Sequence, residues 1–299
     1  MKKKIKIIFI GSVLFSKYLI ESLNKLNFIE IVAVITKKRK KIKSDYCDLM
    51  KIAKKHNLKS FYVDDINSER SLYILNKVKA DYIFCFGWSQ ILKKRTINAV
   101  KKFVIGYHPS DLPSNRGRHP IIWSIALGLK KTASCFFKMN EKPDDGKVLS
   151  KKYITISNED NANSLYFKLI TLAKSQLKNL AHELYRGKLN IIKEKKKEKN
   201  YWRKRNYDDG KIDWRMTADS IHNLIKALSP PYEGAHFMYK SKEYIVFYSK
   251  VIKINKNNIE PGKILTINRG SLTVKCGLNA LQLKKIKTNR AFKTGEYLK

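Results

Sequence analysis

Acidic residues are scarce in this sequence: 25 Asp and Glu stand against 63 Lys and Arg, which leaves a formal net charge of +38. Cysteine is scarcer. The four in 299 residues, Cys47, Cys85, Cys135 and Cys276, are far apart and form no C-x-x-C pair. That spacing offers neither a zinc site nor a redox motif, so the thiols read as reduced and mostly buried, and no metal is expected. No apolar run approaches the roughly eighteen residues of a membrane-spanning helix. The N-terminal Met1-Lys2-Lys3-Lys4 leads only into the short apolar stretch Ile5–Phe15, without an A-x-A-like cleavage site. We therefore expect a soluble, uncleaved, cytoplasmic protein with no membrane partner. The sequence also lacks an internal repeat.

What is present suffices for a large domain and a smaller one: 43% of the residues are apolar and 11% aromatic. The basic excess would ordinarily point to a polyanionic partner. Here it is mostly lysine, spread along the whole chain in company with abundant Ile and Asn, and it reads as compositional drift. The runs Lys37–Lys41 and Lys193–Lys199 read as solvated surface.

The first half alternates short β-rich apolar runs with segments of helical period, the pattern of a parallel sheet flanked by helices. Strands are expected at 5–10, 29–35, near Phe61, at 82–86, 103–107 and 134–139, and helices at 15–26, 47–56, 68–77 and 163–184. After a lysine-rich linker the texture changes to short strands at 244–248, 262–267, 271–276 and 280–284, separated by turns. The expected architecture is therefore α/β: a Rossmann-like parallel-sheet domain over 1–192, a basic linker over 193–208, and a small β-rich, barrel-like domain over 209–299.

His108 lies at the end of an expected strand, where open α/β sheets bind their ligands. It is followed by Pro109-Ser110-Asp111-Leu112-Pro113-Ser114-Asn115-Arg116-Gly117-Arg118-His119-Pro120, a loop stiffened by three prolines. A second loop, Lys142-Pro143-Asp144-Asp145-Gly146, follows the 134–139 strand. It can lie beside His108 if the strands are neighbours. A carboxylate against the imidazole would raise its pKa and suit it to proton exchange near neutrality. The residues alone leave a second reading open, a structural histidine and an ordinary acidic turn.

These motifs, in this order, resemble the folate-dependent formyltransferases of the methionyl-tRNA and nucleotide-amino-sugar type. That family has a histidine, a small residue, Ser-Leu-Leu-Pro, two variable residues and Arg-Gly. The counterparts here are His108, Ser110-Asp111-Leu112-Pro113 and Arg116-Gly117. Its Asp lies two positions before a glycine, which selects Asp144 rather than Asp145. Downstream, Asp209-Gly210-Lys211-Ile212-Asp213-Trp214 and Tyr232-Glu233-Gly234-Ala235 resemble the opening of its C-terminal barrel domain. One departure stands out: the family's oxyanion-binding asparagine, two residues before the histidine, is Gly106 here. The amide of Gln90 is the expected substitute donor, and a catalytically degenerate folate- or RNA-binding relative is the reading that follows if none exists.

The resemblance implies that a primary amine attacks the formyl carbon of 10-formyltetrahydrofolate, with His108 assisting proton transfer and Asp144 orienting it. It further implies that the donor's pterin contacts Gln90, Ile91, Leu92, Ser110, Asp111, Leu112, Pro113, Arg118, Lys142 and Pro143, and that no metal takes part. For the acceptor two classes compete. The segment Thr36–Asp45 is short where the tRNA enzymes carry a long basic loop, and Arg116–Pro120 with Trp123 is similar to the arabinose-type enzymes. Both favour a nucleotide-linked amino sugar. The basic charge and Tyr201-Trp202-Arg203-Lys204-Arg205, a stretch suited to a diphosphate or to RNA, leave methionyl-tRNA as the alternative.

Overall fold

The computed structural model describes residues 3–38, 45–193, 198–286 and 292–298. Most of the basic segment Thr36–Asp45 and the middle of the run Lys193–Lys199 lie outside them. The chain divides into two compact units, one of Met1–Pro120, Thr132–Ile154 and Phe167–Trp202, the other of Ile121–Lys131, Thr155–Tyr166 and Arg203–Lys299.

Its first half runs β1 (Ile5–Ile10), α1 (Leu14–Leu23), β2 (Ile29–Thr36), α2 (Leu49–Lys55), β3 (Ser60–Tyr62), α3 (Glu69–Val78), β4 (Tyr82–Cys85), α4 (Lys94–Ile97), β5 (Phe103–His108) and β6 (Arg116–Gly117). There follow α5 (Pro120–Ala126), β7 (Lys131–Lys138), β8 (Val148–Thr155), the long α6 (Ala162–Arg186) and β9 (Tyr201–Trp202). Seven strands form one sheet in the order β3-β2-β1-β4-β5-β7-β8. The first five are parallel, and β7 joins β5 antiparallel.

Strand β1, Ile-Lys-Ile-Ile-Phe-Ile, is buried along nearly its whole length, as expected of a central strand covered on both faces. Helix α1 buries Phe15, Leu19, Ile20 and Leu23, one stripe at helical spacing. Deleting one such side chain, as in Leu19→Ala, is expected to cost about 2–5 kcal/mol. Helices α2 and α3 start where the chain supplies caps. Asp48 accepts from the Met50 amide at 2.9 Å and Ser68 from the Ser71 amide at 3.3 Å, each satisfying an amide that the helix cannot.

Helices α4 and α5 and a strand at Ala235–Tyr239 were not expected, and the expected strand 244–248 is interrupted at Phe247; three further departures have a visible cause. Strand β7 starts at Lys131 rather than Ser134, because Thr132 and Ala133 are also buried. Strand β8 was not expected; it is the sheet edge, buried at Val148 and Leu149, and its Lys-Lys pair hides the alternation. Helix α7 (Ala218–Ala227) was missed although its signals are legible: Thr217 caps it, and Ala218, Ile221 and Ile225 form its buried stripe.

The second unit is otherwise β-rich. Strands β10 (Ala235–Tyr239) and β11 (Lys242–Val246) form a hairpin. Its two turn residues, Lys240 and Ser241, have φ of 47° and 60°, the left-handed pair a tight hairpin needs. Neither is a usual residue for that conformation, so the turn was invisible in the sequence. Strands β12 (Tyr248–Ile252), β13 (Ile264–Asn268), β14 (Ser271–Lys275) and β15 (Ala280–Lys284) make a four-stranded antiparallel sheet in the order β12-β15-β14-β13.

Candidate active site

Strand β5 delivers His108 to the end of the sheet between β4 and β7, with Cys135 of β7 directly opposite. The imidazole is 6% exposed. Its Nδ1 lies 3.5 Å from Asp144 Oδ1, and its Nε2 lies 3.2 Å from the carbonyl oxygen of Asn115. Both ring nitrogens therefore face acceptors. Only the imidazolium can donate to both; a neutral ring leaves one lone pair pointing at an oxygen. Burial opposes that charge and pushes the His108 pKa below its ordinary value, with the Asp144 carboxylate and the Asn115 carbonyl pulling the other way. Asp144 raises it, as expected, but desolvation is the larger effect and the net direction is downward.

The two acceptors come from two left-handed residues, Asn115 at φ 58° and Asp144 at φ 53°. Asn and Asp tolerate this conformation better than other side chains, but it persists only where surroundings hold it. Asp144 is held by the Gly117 amide, which donates to its Oδ2 at 3.1 Å. Two residues on, a Cβ at Gly146 would lie 1.6 Å from the Lys138 carbonyl oxygen, so only glycine lets the chain pass β7 there. That contact is the physical reason for the Asp-x-Gly spacing. Asp145 points elsewhere and pairs with Nη1 of buried Arg116 at 2.6 Å.

In the loop after His108, Asp111 receives Lys151 Nζ at 3.1 Å and the Tyr153 hydroxyl at 3.0 Å, and Lys151 also donates to the Leu112 carbonyl. Asp111 thus has a buried cation partner on β8, which accounts for a charge where the resemblance has leucine. Ser110, Leu112 and, in the loop after β4, Leu92 are buried, the two leucines in hydrophobic clusters. Their side chains serve the core, so a ligand can meet only their backbones. Ile91, in contrast, is 56% exposed. Lys142, Pro143 and Arg118 are exposed and Pro113 is half-buried, and the Arg118 amide donates to the Trp202 carbonyl at 3.0 Å.

Gly106 and Gln90 differ from expectation. A Cβ on Gly106 would lie 2.8 Å from Cζ of Phe137 and 2.9 Å from Cγ of Met139. Phe137 is its cross-strand partner, and its ring fills the room an asparagine would need. The Gln90 amide is a brace within its own neighbourhood: Nε2 donates to the Asp64 carbonyl at 2.9 Å, and Oε1 accepts from the Ile66 amide at 3.2 Å. These bonds engage its oxygen and one of its two amide hydrogens.

The expected acceptor-binding cations are also partly committed. Arg203 makes a double hydrogen bond to Asp209, whose pKa it holds down to about 2. The Arg203 guanidinium lies 5.3 Å from the Trp123 ring, and Trp123 Nε1 donates to the Arg203 carbonyl at 3.1 Å. Lys204 is exposed, and Arg205 is half-buried with its pKa lowered by desolvation. Sequence reasoning missed Asn115, Asn200 and the pairing of Tyr201-Trp202 with Arg116-Gly117, since nothing in the pattern shows that residues 85 positions apart meet.

The family model described as formyl transferase matches residues 3–180, and that described as formyl transferase, C-terminal domain, matches residues 204–299. A methionyl-tRNA formyltransferase of Mycoplasma capricolum is 31% identical over 92% of this chain and 88% of its own length. One from Mycoplasma mycoides is 31% identical over 96% and 91%. The bifunctional polymyxin resistance protein ArnA of Wigglesworthia glossinidia brevipalpis is 32% identical over 80% of this chain, which spans only 36% of that protein. Among solved structures, the sugar 3N-formyl transferase WlaRD, with dTDP and 5-N-formyl-THF, superposes with a TM-score of 0.72 at 19% identity, over 95% of this chain and 98% of that one. The N-formyltransferase of Helicobacter canadensis, with folinic acid and dTDP-3-aminofucose, gives 0.74 at 17% identity, over 94% and 99%. These two share the fold.

Proposed function

Because the chain belongs to the formyl transferase family, we propose that His108 and Asp144 carry the transfer of a formyl group from 10-formyltetrahydrofolate to a primary amine. The observation that carries this reading is the meeting of both His108 ring nitrogens with acceptor oxygens. Asp144 selects the tautomer with the proton on Nδ1, which leaves the Nε2 lone pair facing the Asn115 carbonyl. A proton taken up at Nε2 turns that repulsive meeting into a hydrogen bond. His108 is thus neutral and basic at rest, and its charged form is stabilised when it forms.

In the reaction the amine nitrogen gains a bond to the formyl carbon, the bond from that carbon to the carrier nitrogen breaks, and one proton passes from amine to carrier. His108 holds that proton between the two, and because both its N–H groups then face Asp144 and Asn115, it supports the transient negative oxygen through its positive charge. The folate supplies the activated formyl group when bound. Exposed Ile91 offers an apolar face to a flat ring, and the backbones of 110–113 and 142–143 offer polar edges. Gln90, Arg118 and the side chains of Lys142 and Pro143 complete the candidate donor site.

For the amine we favour that of methionyl-tRNA over that of a nucleotide sugar. The Mycoplasma relatives match along nearly the whole chain. The short segment Thr36–Asp45 supports the amino sugar, as does the Trp123–Arg203 contact, a surface for a nucleotide diphosphate. We further assign residues 1–192 to the catalytic domain, 193–208 to the linker and 209–299 to the C-terminal domain. Full-length protein incubated with 10-formyltetrahydrofolate and either methionyl-tRNA or a nucleotide amino sugar should formylate the tRNA, with a rate that falls steeply with salt. Formylation of the sugar alone would transfer the assignment to that acceptor. Binding of a folate analogue with no turnover on any amine would identify a degenerate relative.

A further inference from the structure

Just before the chain enters the second unit at Arg203, residues 198–202 lie along the loop that follows His108. Ser114 Oγ donates to the Glu198 carbonyl at 2.7 Å, the Asn115 amide to Asn200 Oδ1 at 2.7 Å, and the Arg116 amide to the Asn200 carbonyl at 3.2 Å. Strands β6 and β9 then pair in parallel, Arg116 beside Tyr201 and Gly117 beside Trp202. A Cβ on Gly117 would lie 2.2 Å from the Trp202 carbonyl oxygen, so the two backbones touch as closely as glycine permits. On the other loop, the Tyr201 hydroxyl donates to the Pro143 carbonyl at 2.6 Å, one residue before Asp144.

Each oxygen that faces His108 is therefore held by this strap. Asn115 presents its carbonyl to Nε2 from a left-handed conformation, and its own amide is fixed by the Asn200 side chain. Asp144 faces Nδ1 from a second left-handed residue, flanked by Pro143, which Tyr201 holds, and bonded through Oδ2 to Gly117, which Trp202 holds. Unfavoured backbone conformations at a reacting centre need such over-determination to persist. We propose that Asn200 and Tyr201 are positioning residues for the His108–Asp144 pair, an inference that rests on the formyl-transfer reading above. They touch no reacting atom and act through the backbones of Asn115 and Pro143.

The charged and titratable groups around His108 are few. Asp144 faces Nδ1, and Cys135 lies opposite on β7 with its thiol turned to the Ser110 carbonyl at 3.0 Å. Of the nearby charges, Arg116 pairs with Asp145 and Lys151 with Asp111, while Arg118 and Lys142 on the two loops are exposed. Removing the Asn200 acceptor frees Asn115 to turn its carbonyl away from Nε2, and that contact favours the protonated ring. The sign follows: loss of Asn200 moves the His108 titration to lower pH.

The test uses full-length wild type, Asn200→Ala, Asn200→Asp and Tyr201→Phe. The His108 imidazole is followed by NMR of histidine-labelled protein, its signal assigned by its absence from His108→Ala, alongside kcat, KM and thermal melting. Asn200→Ala should lower kcat by about 10-fold with KM little changed, as a displaced catalytic group does. It should also shift the imidazole midpoint and the acid limb of kcat/KM to lower pH while the melting temperature holds. Asn200→Asp keeps an oxygen acceptor at the same reach and should return kcat to within about threefold of wild type. Tyr201→Phe should lower kcat by a smaller factor. An imidazole midpoint and kcat in Asn200→Ala equal to those of wild type would overturn the proposal, as would a loss that Asn200→Asp does not reverse. If the midpoint moves with Asn200 while no amine is formylated, the strap stands and the formyl-transfer reading fails.

Discussion

The turn after β7 carries two adjacent carboxylates whose surroundings set them apart. Asp144 is left-handed, bonded to the Gly117 amide, and turned toward His108. Asp145 lies against the guanidinium of Arg116, a cation that is 8% exposed and whose Nε has no hydrogen-bond partner among the described residues. One carboxylate meets a group that changes charge, the other a group that never does. The difference teaches that neighbouring acids in one turn can divide chemistry from stability: the first should be missed in the rate, the second in the fold.

The sharpest way to break this contrast is at the rate. His108→Ala and Asp144→Ala should each lower kcat by about 10²–10⁴ with melting temperature close to wild type, and the double variant should be little worse than either, because the two act as a unit. A product of the two effects would separate their roles. Asp145→Ala should instead reduce stability by about 3 kcal/mol in denaturant unfolding, since it strands a buried guanidinium. Activity per folded molecule should fall less than in Asp144→Ala, and adding Arg116→Met should recover much of the stability. A larger loss of kcat at Asp145 than at Asp144 would reverse the assignment.

A milder perturbation is pH. Burial lowers the folded-state pKa of His108 below its unfolded value, so the unfolded chain binds the proton first as pH falls. The His108 contribution to stability is whole above the ordinary histidine range and declines as pH drops from there through the lowered folded value. Over the lower part of that window kcat/KM should decline too as the base becomes protonated. Rate profiles from pH 5 to 9 for wild type and Asp144→Asn check this, and a flat profile would remove His108 from proton transfer.

The smallest effects separate two glycines near the same turn. At Gly146 the obstacle to a side chain is the backbone oxygen of Lys138; at Gly106 it is the ring of Phe137 and Cγ of Met139. Gly106→Asn should therefore destabilise by about 1–3 kcal/mol, as overpacking does. Phe137→Ala in the same molecule should relieve that clash, so that the double variant is more stable than the two single changes predict and shows whether an amide at this position raises kcat. Gln90→Ala should cost about 1 kcal/mol of stability with kcat within a few-fold of wild type, as the loss of a brace does. A 10²-fold loss of kcat there would restore Gln90 as an oxyanion donor.

Periodicity and strand-end position were enough to place His108 and most of the sheet, because parallel strands buried on both faces are written as continuous apolar runs such as Ile-Lys-Ile-Ile-Phe-Ile. The Asp-x-Gly spacing was equally legible, and it follows from a local contact, the close approach of Gly146 to Lys138. What the sequence could not carry was anything set by the balance of burial against charge or by contacts between distant segments. The direction of the His108 pKa was misread because a motif shows the carboxylate beside the ring but not the desolvation around it. The bracing role of Gln90 was not foreseen because its partners, Asp64 and Ile66, come from another loop. Asn115 and Asn200 were passed over because an asparagine in a loop has no meaning until the fold brings position 200 back onto position 115. Hydrophobic pattern and glycine spacing are local records of packing, so the sequence determined the strands and the turn. The polar network around His108 is a product of tertiary closure, and only the structure decided it.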